Sequence, residues 1–114
     1  MKAFIYAVLI SALIIAATFA VAPPAKAGPS MSSGVAVIGT IDQETCLARG
    51  ANATKALGFT TGLEIVSNNS VYGEMNAYTL HIRCFADMGV VFFIVAGPSG
   101  EVTSKVLTAV KERF

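Results

Sequence analysis

A chain of 114 residues carrying 8 Lys and Arg against 7 Asp and Glu, a net charge of +1, offers no basic face for nucleic acid or for an anionic membrane surface. Its hydrophobic share is high, 54%, but much of that sits in one N-terminal stretch, so it does not imply a membrane domain. The length allows one small domain with one modest core.

Met1-Lys2 places a single positive charge ahead of an uncharged apolar run, Ala3 to Ala22 (AFIYAVLISALIIAATFAVA). Pro23 to Ala27 (PPAKA) then breaks any helix and supplies Ala25 and Ala27, the A-x-A pattern that a signal peptidase requires. The expectation is a signal peptide over residues 1–27, cleaved before Gly28. A competing reading keeps residues 3–22 as an uncleaved membrane anchor, since about 20 apolar residues span a bilayer. Either way the remainder is exported, to a bacterial periplasm or outside the cell. Loss of 27 residues leaves 87, and it removes Lys2 and Lys26, so six basic residues stand against seven acidic ones, a net of −1. Nucleic acid is therefore not an expected partner, nor is membrane once the leader has gone.

Gly28 to Ser33 (GPSMSS) is small and turn-prone and reads as a flexible lead-in, residues 28–33, to a single α+β domain over 34–114. Val35 to Ile41 (VAVIGTI) is β-branched and apolar on both parities, the pattern of a strand buried on two faces. Thr40 and Asp42 are N-cap types, and Thr40-x-x-Gln43 has the form of a capping box. From there Cys46, Leu47, Gly50, Ala51, Thr54 and Leu57 recur at helical spacing, and Gly58 stands where a helix C-terminal glycine belongs. Phe59 to Ser67 alternates as a second strand. Asn68 to Ser70 is a turn, and Val71 to Glu74 is open between a continuation of that strand and a surface loop.

Tyr78 to Phe85 is the clearest strand: Tyr78, Leu80, Ile82 and Cys84 share one parity, Thr79, His81, Arg83 and Phe85 the other. Ala86 to Gly89 is a tight turn into Val90 to Ala96, which predicts a hairpin. Gly97 to Glu101 stops the strand and opens a last helix, with Ser99 as N-cap and an apolar stripe of Val102, Val106, Ala109, Val110 and Phe114. The order β-α-β-β-β-α predicts a two-layer α+β sandwich: a mostly antiparallel sheet with two helices on one face, in the neighbourhood of ferredoxin-like folds.

Cys46 on the apolar stripe of the first helix and Cys84 on the helix-facing parity of its strand point into the same layer. An even pair in a small exported domain reads as a disulfide. The alternative is an envelope thiol or redox protein using Cys46 and Cys84, since the first turn of a helix lowers a thiol pKa. No C-x-x-C accompanies it, and the single His, His81, falls on the opposite face of its strand. A small-ligand or metal site around His81, with Met31, Met75 and Met88 as soft ligands, is a further alternative, although their spacing makes no motif. No G-x-S-x-G is present and the carboxylates are scattered, so no catalytic residue, metal or cofactor is assigned.

The sheet face away from the helices carries Thr79, His81, Arg83 and Phe85 as a candidate binding face, joined by either Val90, Phe92 and Ile94 or Val91, Phe93 and Val95. An apolar patch rimmed by His and Arg marks a contact surface for self-association or a partner protein, unless a loop such as Val71 to Ala77 folds over it.

The series of a leader, a cysteine on the first helix, "IRC" in a strand, "VVFFIVAGPSG" and a last helix resembles small exported bacterial proteins of unknown function. The resemblance implies this fold and compartment and carries no functional residues. The reading is a non-enzymatic binding or interaction module stabilised by one disulfide.

Overall fold

The computed structural model describes residues 29–114, and the expectations for the signal peptide, its cleavage site and the alternative anchor lie outside them. Five strands and two helices follow in the order β1 (Ser30–Val37), α1 (Gln43–Ala56), β2 (Thr61–Val66), β3 (Ser70–Met75), β4 (Tyr78–Phe85), β5 (Val90–Gly97) and α2 (Gly100–Arg113). The strands form one sheet in the order β1-β5-β4-β3-β2, antiparallel throughout. Helix α1 packs on β2, β3 and β4, and α2 on β1 and β5, so both cover the same face. The expected two-layer α+β class is the observed one. The open question at Val71 to Glu74 resolves as a strand of its own, which adds a member to the sheet.

Each helix begins where its side chains supply the missing acceptors. Asp42 caps α1 by accepting from the Thr45 N–H (2.6 Å), and Ser99 caps α2 by accepting from the Val102 N–H (3.3 Å). The Thr40/Gln43 capping box does not form. Gln43 instead reaches out of the helix: its Nε2 donates to the carbonyl oxygens of Asn68 and Cys84, both at 3.0 Å, and its Oε1 accepts from the Ala86 N–H at 3.1 Å. One amide thus ties the start of α1 to the β2–β3 turn and to the end of β4, spending the side chain that a capping box would need.

The core lies between the layers. Cys46, Phe59, Val71, Leu80, Ile82, Val91, Phe93, Val95 and Val110 are sealed from solvent, and Phe114 closes one end edge-on to Phe93 at 5.5 Å. Gly50 lets α1 sit low on the sheet, where an added Cβ would be 3.3 Å from Val71 and 3.4 Å from Ile82. The stripe of α2 differs from the expected one: Thr103 is fully buried while Val102 is exposed. The cause is the hydrogen bond between Thr103 Oγ1 and Ser32 Oγ at 2.9 Å, which lets a hydroxyl face the sheet.

The same contact bears on the bounds of the first strand. Residues 30–33, expected as a flexible lead-in, are the first half of β1, and the strand ends at Val37 rather than Ile41. β1 is not buried on two faces. Ser32, Gly34 and Ala36 face α2, with Leu107 close over Gly34, while Met31, Val35 and Val37 face outward at 69%, 46% and 84% exposure. A helix lying this close selects small residues on the covered side, which inverts the usual alternation.

Candidate functional site

The sheet face without helices is assembled by register. Across it, Val35, Phe92, Arg83, Ser70 and Val66 make one row, and Ser33, Ile94, His81, Tyr72 and Glu64 the next. Met31, Ala96, Thr79 and Glu74 make a third, and Val37, Val90 and Phe85 a fourth at the other end. Thr79, His81, Arg83 and Phe85 therefore lie together on this face, as their shared parity requires. Of the two sets left open for β5, the outward one is Val90, Phe92 and Ile94; Val91, Phe93 and Val95 are core. Residues 71–77 do not fold over the face: Val71 to Met75 belong to β3, in the plane of the sheet, and widen it.

The face is divided. Its β1 and β5 side is apolar, built from Met31, Val35, Val37, Phe92 and Ile94. Phe85 of β4 joins it, edge-on to Phe92 at 5.4 Å, with the Arg83 guanidinium 5.1 Å from the Phe85 ring. The other side is polar. Glu64, Val66, Tyr72, Glu74 and Thr79 line a shallow hollow of about 420 Å³ beside the bulge in β2. Among the described residues the one ion pair is Lys105–Glu101 on α2, at 3.1 Å, and Arg83, Glu64 and Glu74 have no ion-pair partner there.

His81 stacks on Tyr72, ring centroids 4.1 Å apart and 16° from parallel, and its Nε2 is buried without a hydrogen-bond partner among the described residues. Burial, and then the neighbouring Arg83 charge, hold its pKa below the ordinary value of 6.5. The unfolded chain takes up the proton first as pH falls through 6.5, so His81 withdraws stability progressively below that point until the folded form also protonates. Urea unfolding at about pH 7.5 and about pH 5.5 should show a drop in midpoint that His81→Gln reduces. Asp42, whose pKa its bonds to Thr45 hold below 3.8, titrates outside that window.

The cysteines are joined, Cys46 to Cys84, with Cα atoms 6.1 Å apart, and both side chains are buried on the helix side of the sheet. The methionines considered with His81 are dispersed. Met75 is on the helix side, Met88 lies beyond the end of β4, and Met31 is two strands away on β1. Among the described residues no three His, Cys, Asp or Glu side chains are grouped as a metal site, and no helix is long and apolar enough to cross a membrane.

Compared with protein-family models, with curated proteins and with solved structures, the chain matches none of them.

Several members of the face escaped the sequence reading: Tyr72, Glu74 and Glu64, and the outward residues of β1. The alternation Val71/Gly73 against Tyr72/Glu74 carried the signal for the first two, and a strand assignment would have exposed it. Nothing local marks Ser30 to Ser33 as a strand.

Proposed function

We propose that this chain is a non-enzymatic binding domain, exported and stabilised by its disulfide, which acts through the helix-free face of the sheet. The observation that carries this reading is the apolar patch of Val35, Val37 and Phe92, left at 46%, 84% and 39% exposure beside Phe85 and Arg83 because both helices lie on the other side. A run of exposed apolar side chains with a charged and aromatic border is the composition of a contact surface. Export is supported by the buried disulfide, which suits an oxidising compartment, and by the leader pattern of residues 1–27.

A photo-crosslinking residue placed at position 92, in the chain expressed in its own cells, tests the reading. Adducts should form there and not at Thr108, exposed on the outer side of α2. Arg83→Glu should reduce their yield several-fold without altering the circular dichroism of the domain. Equal labelling from positions 92 and 108 would sink the proposal.

A further inference from the structure

The binding reading leaves open what occupies the face. Resting on that reading, we infer that the occupant is a second copy of this chain, packed sheet to sheet about a two-fold axis that runs across the strands between the Arg83 row and the His81 row.

The pattern of the face selects that axis. A two-fold across the strands keeps each strand position opposite its own kind while exchanging the rows. The apolar β1 and β5 side then meets itself: Phe92 faces Ile94 of the second copy, and Val37 faces Met31. A two-fold along the strands, centred on β4 so that the whole sheet is covered, would instead lay β5 on β3 and stack β4 on itself, with Arg83 against Arg83. Like charges placed directly opposite one another are unfavourable, so that arrangement is rejected.

On the polar side the transverse axis brings Arg83 over the His81–Tyr72 stack of the other copy. Glu74 and Glu64 lie one and two strands away in the direction of β2. The guanidinium leans toward its own Phe85, which the axis sets over the Thr79 row of the other copy, one strand spacing, about 4.8 Å, from Glu74 in that row; a change of rotamer carries it over the stack toward Glu64. Each copy supplies one cation to the other's carboxylates, which is the self-complementarity an isologous interface requires. Neither the guanidinium nor either carboxylate has an ion-pair partner within its own described chain. The extent is adequate as well. Five strands of up to eight residues present a footprint of roughly 600 Å² before side-chain relief, of the order of the ~800 Å² per partner in a stable interface.

Sedimentation of the protein, purified as its own cells process it, decides the matter when followed across a concentration series. Wild type should dimerise, and Arg83→Glu should weaken the dimer at least tenfold, as should the double variant Glu64→Lys/Glu74→Lys, since each places like charges together. An equimolar mixture of the two variants should recover association, because every contact then joins opposite charges. A monomer up to about 1 mM overturns the inference, as does a dimer indifferent to both reversals or a mixture that fails to recover. A monomer that still forms adducts at position 92 with another protein overturns only the second-copy assignment. A monomer without such adducts overturns the binding reading too.

Discussion

The double variant Cys46→Ala/Cys84→Ala is expected to lose about 4 kcal/mol of stability, because the bridge closes a loop of roughly 39 residues in the unfolded chain and its loss returns that loop's entropy. The separation of 38 residues is long for so small a domain, and 4 kcal/mol is a large part of the ~5–15 kcal/mol that holds a domain folded. Thermal unfolding should show it as a fall of about 15–30 °C in midpoint. Both sulfurs are sealed, Cys46 at 0% and Cys84 at 2% exposure, beneath α1 and beside the Gln43 staple. Exchange needs a thiolate to reach a sulfur. Mild reductant should therefore release no thiol from the folded protein, as read by thiol labelling and mass spectrometry, and should do so readily once denaturant is added. Rapid reduction of the folded form would instead favour the envelope redox reading.

Gly73→Ala should cost about 3 kcal/mol, near the upper end for overpacking a core. In β3 this glycine faces α1, and an added Cβ would overlap the carbonyl oxygen of Phe59 and lie 2.7 Å from Thr54 Cγ2. The oxygen belongs to the backbone, in the segment where Phe59 N–H donates to the Thr54 carbonyl at 3.1 Å. Relief would have to move the junction between α1 and β2. Gly50→Ala is the informative contrast. Its nearest obstacles are side-chain methyls at 3.3 and 3.4 Å, and the roughly 1 kcal/mol gained in helix propensity offsets that crowding. Urea unfolding should place Gly50→Ala close to wild type and Gly73→Ala well below it; equal losses would show that close packing at Phe59 does not set the cost.

The choice between Thr40 and Asp42 as the cap of α1 is not legible in the chain alone, whereas both helices, the Ser99 cap, the β4–β5 hairpin through Gly89 and the pairing of Cys46 with Cys84 are. Each of these rests on a local signal: a 3.6-residue or two-residue period, a capping side chain, a turn residue, or a pair of cysteines on faces that parity and periodicity turn towards one another. Parity also placed Thr79, His81, Arg83 and Phe85 on one side of β4 before any neighbour was known.

The edges and the neighbours, by contrast, are set by long-range pairing. β1 begins at Ser30 because β5 presents eight residues that need a partner, and the closeness of α2 makes serine and glycine the right residues for the covered side; no local preference in "SMSSG" expresses either fact. β3 is a strand because β2 and β4 pair with it on both sides. Its pairing places Tyr72 against His81 and Glu74 beside Thr79, and so turns four residues of one strand into a face with an apolar half and a charged half. Side-chain alternation along a strand is a property of the chain, but which strands stand side by side, and therefore what surface they make together, is settled by long-range pairing.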